Sequence, residues 1–69
     1  MAWEKQYVEY NLAKADGNTV KVHQNRYTYL PLYIGEEVNY ALWSGDILNV
    51  YLKNGKVRQY ISRGTYREI

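Results

Sequence analysis

A single imidazole, His23, two serines, Ser44 and Ser62, and seven carboxylates are what this chain of 69 residues offers to nucleophilic or acid–base chemistry. Nucleophilic catalysis needs a nucleophile, a base and a group that orients the base. Nothing in the spacing of His23, Ser44 and Ser62 joins them, and a lone His in an alternating strand reads as a surface or satisfied side chain rather than a base. Asp16, Glu36, Glu37 and Asp46 are the candidates for a paired-carboxylate site, but Asp16 and Asp46 stand at turns, where Asp caps backbone without catalysis. Metal chemistry has little to work with: there is no Cys, and Glu36 and Glu37 on a strand would point to opposite faces. Asp16-Gly17-Asn18 lacks the spaced acidic ligands of a calcium loop. Gly55-Lys56 runs straight into Val57 with no Gly five residues upstream, so a phosphate-binding P-loop is absent. The expectation is a protein that is not an enzyme and uses no metal or cofactor.

Surface recognition is the chemistry left. Tyr occurs nine times, Trp twice and Phe never, so almost every ring carries a polar handle suited to half-buried strands and to interfaces. Charge is unevenly placed. Residues 1–46 hold four basic and six acidic side chains, net −2, while residues 47–69 hold Lys53, Lys56, Arg58, Arg63 and Arg67 against Glu68, net +4. A basic segment of this kind points to an anionic partner, or serves solubility and edge protection. The candidate binding residues are Trp43, Tyr51, Arg58 and Tyr60 on one sheet face, with Lys53 and Lys56 at a hairpin tip. Rings beside cations suit single-stranded nucleic acid. The competing reading is a Tyr51–Arg58 cross-strand pair on a face covered by the N-terminal segment.

Positioning these residues falls to three short β-prone runs, Val38 to Trp43, Ile47 to Leu52 and Val57 to Ile61. Asn54-Gly55 signals a type I′ hairpin. A two-residue loop there pairs Leu52 with Val57, Tyr51 with Arg58 and Leu48 with Ile61. A three-residue loop Ser44-Gly45-Asp46 then places Leu42, Tyr40 and Val38 opposite Leu48, Val50 and Leu52, so that the apolar faces agree across all three strands. A two-residue loop would bring Asn39 and Ala41 to that face instead. Trp43, Ile47, Tyr51, Arg58 and Tyr60 fall on the other face.

In the first half, Tyr7 to Leu12 and Thr19 to His23 alternate around Asp16-Gly17-Asn18, which reads as a hairpin. A helix from Ala2 to Ala15 competes, with Gly17 as its C-cap. At 100° per residue, however, Trp3, Tyr7 and Tyr10 oppose Val8, Leu12 and Ala15, so strand is favoured. Pro31 places the run Tyr27 to Ile34 at an edge, bulge or corner. Val20-Lys21, Arg26 and Thr28-Tyr29 recur at the spacing of Val57-Arg58, Arg63 and Thr65-Tyr66. Two similar β units, or coincidence among short Tyr-rich strands, account for that echo.

The whole is read as one domain over residues 1–69, with 46% hydrophobic residues and a single modest core. With no disulfide available, oligomerisation is the remaining staple for so small a scaffold. No secretory signal and no run near the ~18 apolar residues of a membrane span is seen, so cytoplasmic residence and no membrane partner are expected. The expected fold is all-β, a small antiparallel barrel or curled meander (SH3-like) of five or six short strands, with α+β carrying an N-terminal helix as the alternative. The expected function is a non-catalytic module that binds protein, itself included, through a Tyr/Trp-rich face. The alternative is nucleic-acid binding by the basic C-terminal segment.

Overall fold

Turn chemistry decides where the strands lie and which way each faces. In the computed structural model, which describes residues 2–69, the chain runs as α1 (Lys5–Tyr10), β1 (Leu12–Asp16), β2 (Thr19–His23), β3 (Tyr29–Tyr33), β4 (Val38–Ser44), β5 (Ile47–Leu52), β6 (Val57–Ser62) and β7 (Thr65–Glu68). All pairings are antiparallel, in a three-stranded sheet ordered β1-β2-β3 and a four-stranded sheet ordered β4-β5-β6-β7. β1 lies alongside β4, so the two sheets curl around one core. The all-β antiparallel class is as expected, with seven strands rather than five or six. Among the described residues no helix is long and apolar enough to cross a membrane.

The strand reading fails for the segment before Leu12. Lys5–Tyr10 is helical, and Asn11 stops it in the left-handed conformation at φ 58°, donating its N–H to the Tyr7 carbonyl. No single helical stripe spans residues 3–15 because two elements divide them: Leu12 and Ala15 belong to β1. Within six residues the helix needs to bury only Tyr7 and part of Val8, while Trp3 before it is buried too. A hairpin does turn at Gly17-Asn18 with Thr19–His23 as its second strand, but its first strand is Leu12–Asp16 rather than Tyr7 to Leu12, and Asp16 pairs with Thr19. Pro31 sits in β3, at the edge of its sheet.

The β5–β6 register, and the β4–β5 register from Tyr40 to Ser44, differ from expectation by one residue, while Val38 opposite Leu52 is as expected. At the first turn the loop is Gly45-Asp46, with Ser44 opposite Ile47 and Trp43 opposite Leu48. Gly45 takes φ +63° and Asp46 keeps a negative φ, the pattern of a type II′ turn, which needs Gly only at its first central position. A bulge between Val38 and Tyr40 then returns Val38 to the core while Ala41 also faces inward, which spares Asn39 from burial. At the second turn Asn54 keeps a negative φ, so type I′ is not formed. Gly55, at φ +93°, donates to the Leu52 carbonyl, and Leu52 bonds Lys56, giving a three-residue loop with a glycine bulge. The Asn54 side chain accepts from the Lys56 N–H at 2.9 Å and fixes it.

Consequently Tyr51 pairs with Val57, Val50 with Arg58 and Leu48 with Tyr60. The core holds Val20, Val22, Leu32, Ile34, Val38, Ala41, Leu48, Val50, Leu52 and Tyr60 together with Trp3 and Tyr7. Each fully buried aliphatic, such as Leu48 or Val50, contributes about 1.5–3 kcal/mol. Tyr40, Leu42 and Ile61, expected inside, are exposed. Val57 moves to the outer face as well.

Candidate functional site

Arg58 is the first of the expected binding residues to find a different task. Projecting inward from β6, its side chain is only 11% exposed. Nη1 donates to the Ile34 carbonyl beyond β3 at 2.9 Å and to the Tyr60 hydroxyl at 3.4 Å, and Nη2 donates to Glu36 at 2.9 Å. Glu68 stands 3.8 Å from Nε, and the Tyr66 ring lies 4.7 Å below the guanidinium. Burial works against this charge, but Tyr60, Tyr66 and Glu36 more than offset it, and the Arg58 pKa lies above the ordinary arginine value. The residue ties the four-stranded sheet to the chain leaving the three-stranded one.

Trp43 and Tyr60 join the same interior. Trp43 meets the Trp3 ring edge-on at 5.3 Å, and the Trp3 indole donates to the Tyr60 carbonyl at 2.9 Å. The expected face of Trp43, Tyr51, Arg58 and Tyr60 is therefore divided. Trp43, Arg58 and Tyr60 point in, and Tyr51 points out.

Lys53 and Lys56 flank the β5–β6 turn, as read from the sequence, but each has a carboxylate within 4 Å: Glu37 at 3.8 Å and Glu68 at 3.9 Å. Arg63 binds Glu4 at 2.6 Å, and that guanidinium holds the Glu4 carboxyl below its ordinary pKa. Arg67 donates to the Gln59 side chain at 3.0 Å. Three of the glutamates that neutralise the basic segment, Glu4, Glu36 and Glu37, come from the acid-rich half. The charge asymmetry along the chain is consumed within the fold.

What the four-stranded sheet turns outward is mostly apolar. Following the register, one cross-strand row is Tyr40–Tyr51–Val57, the next is Leu42–Asn49–Gln59–Arg67, and the third is Ile47 beside Ile61. Tyr40 and Tyr51 stack at 4.5 Å with planes 18° apart. The middle row is a chain of side-chain hydrogen bonds, Arg67 to Gln59 and Gln59 to Asn49 at 3.2 Å. Tyr40, Leu42 and Ile61 escaped the sequence reading because the register slip moved them to the core face. The bulge at Asn39 has no composition signal strong enough to have corrected it.

The candidate nucleophiles and base read from the sequence lie on different strands, His23 ending β2, Ser44 ending β4 and Ser62 ending β6. An open hollow of about 650 Å³ is lined by Ala2, Glu4, Ser62, Arg63, Gly64 and Thr65. Its carboxylate is the one ion-paired to Arg63, a poor base, and His23 lies in β2 of the other sheet. Comparison with protein-family models, curated proteins and solved structures finds no match for the chain.

Proposed function

We propose that the protein is a non-catalytic interaction module that pairs with a second copy of itself through the outer face of β4–β7. The observation that carries this reading is the contiguous outer surface of exposed Tyr40, Leu42 and Ile61 with half-buried Tyr51 and Ile47 between them, Leu42 being 56% exposed. An apolar sheet face of this kind is a docking surface in small soluble domains. Its pattern is self-complementary. A two-fold axis parallel to the strands, between β5 and β6, lays Tyr51 of one copy on Val57 of the other and Ile47 on Ile61, and brings the Asn49 amide against that of Gln59, where each supplies both donor and acceptor. Arg67 falls at opposite ends of such a pair, so the arrangement sets no cation against its mate. Sheets packed in this way lie about 10 Å apart with interdigitated side chains.

Sedimentation equilibrium over a range of protein concentrations tests it. A dimer that persists at high salt is expected, and Leu42→Asp, a change at an exposed position, converts it to monomer with the fold intact by circular dichroism. A wild-type chain that stays monomeric throughout overturns the self-pairing. Nucleic-acid binding by the C-terminal segment draws less support, since Lys53, Lys56, Arg58 and Arg63 are already paired with glutamates.

A further inference from the structure

The cations that lack carboxylate partners gather elsewhere. Among the described residues Lys14, Arg26 and Arg67 have no acidic side chain within 4 Å, and the first two belong to the three-stranded sheet and its β2–β3 loop. The outer face of that sheet has three cross-strand rows: Leu12–His23–Tyr29, Lys14–Lys21–Pro31 and Asp16–Thr19–Tyr33. Lys14 thus stands directly opposite Lys21, a like-charge pairing that destabilises a sheet. Asp16, 3.4 Å from Lys21, relieves half of it, and Glu9 on α1 is taken by Lys5.

Aromatic rings stand beside Lys21 and Arg26. The His23 ring lies between Tyr10, at 6.5 Å, and Tyr29, at 5.3 Å, and the Lys21 ammonium sits 5.2 Å over the Tyr29 ring. At the loop tip Tyr27 is 84% exposed, with the Arg26 guanidinium 5.4 Å from its ring. The loop is held in shape by Asn25, whose side chain accepts from the Tyr27 and Thr28 N–H groups at 2.8 Å each. Tyr33 continues the series at the far end of β3 and is 70% exposed.

We infer that this face, with Lys14 and Arg26, unpaired among the described residues, beside the Asp16-bound Lys21 and among Tyr27, Tyr29 and His23, is a binding site for single-stranded nucleic acid. The cations meet phosphates, and the rings stack on bases, which any sequence provides. An acidic peptide would satisfy the lysines but leave the tyrosine faces without a stacking partner. The site is on the opposite sheet from the self-pairing face and is independent of it.

Fluorescence anisotropy of a labelled oligothymidylate titrated with the full chain provides the test. Affinity is expected to fall with salt at a log–log slope of about −1.4, the value for two phosphate contacts, Lys14 and Arg26, at ~0.7 each. Lys14→Gln reduces that slope by about 0.7. Tyr27→Ala, at a ring the fold does not bury, weakens binding at least about fivefold through lost stacking. Lys53→Ala and Lys56→Ala leave it unchanged. Absence of binding at low salt, dependence on Lys53 and Lys56 instead, or equal displacement by poly-glutamate overturns the assignment, the last in favour of an acidic protein.

Discussion

Hairpins β2–β3 and β6–β7 place the same diagonal pair, a cation over a tyrosine ring, on opposite sides of their sheets. Lys21, its side chain 37% exposed, lies over Tyr29 on the solvent face, whereas Arg58, 11% exposed, lies over Tyr66 on the core face; the two rings are themselves similarly exposed, at 43% and 47%. These are the residues of the internal echo, Val20-Lys21 with Thr28-Tyr29 and Val57-Arg58 with Thr65-Tyr66. Turned inward, the cation recruits Ile34, Glu36, Tyr60 and Glu68 and becomes a clasp. Turned outward, it keeps one carboxylate at 3.4 Å and has another lysine across from it. The same local pattern is structural where the sheet face is covered and available for a ligand where it is not.

Removing the clasp should have the largest effect on that comparison. Arg58→Met leaves the Ile34 carbonyl and Glu36 without their charged donor and is expected to cost about 2–3 kcal/mol, read as a lower urea midpoint. Lys21→Met at the matching outward position should cost under ~1 kcal/mol, as exposed pairs do. Equal losses would erase the distinction between the two hairpins.

Lys14→Gln sharpens it with a change of opposite sign. Relieving the like-charge pair is expected to stabilise the fold by roughly 0.2–1 kcal/mol while weakening oligonucleotide binding. The gain should shrink as salt screens the repulsion. A loss of stability would show that Lys14 is held by the fold rather than set against it.

The smallest effect concerns the exposed pair Glu4–Arg63. Because Arg63 lowers the Glu4 pKa, the pair stabilises the fold fully above the ordinary carboxylate value. That contribution is lost as pH falls through the lowered value. Thermal midpoints of wild type and Glu4→Gln should therefore differ near neutrality and converge in acid; a gap constant with pH would contradict the linkage.

Much of the β architecture was legible because Gly and Asn mark turns by their own conformational preferences. Gly17, Gly45 and Gly55 all punctuate hairpins, and the extent of β5, Ile47–Leu52, was read without error. Loop length was not legible. Asn-Gly suits both a two-residue type I′ turn and a three-residue turn with the glycine in a bulge, and the choice belongs to the core. Two slips of one residue left Leu48, Val50 and Leu52 of the central strand correctly inside. They reversed Arg58, Tyr60 and Ile61 on one side and Ala41 and Leu42 on the other.

The candidate site suffered from the same slips, because Tyr51 and Arg58 share a face only in the slipped register. Charge was misread for a different reason. A basic run in the chain says nothing of which glutamates the fold will bring beside it, and here Glu4, Glu36 and Glu37 arrive from the far half.

Sedimentation equilibrium in low and high salt, with and without a short single-stranded oligonucleotide, tests the division between the two outer faces most directly. A dimer that persists at both salt concentrations and takes up oligonucleotide only at low salt is expected. A chain that is monomeric in every condition, or that dimerises only when oligonucleotide bridges two copies, would contradict that division.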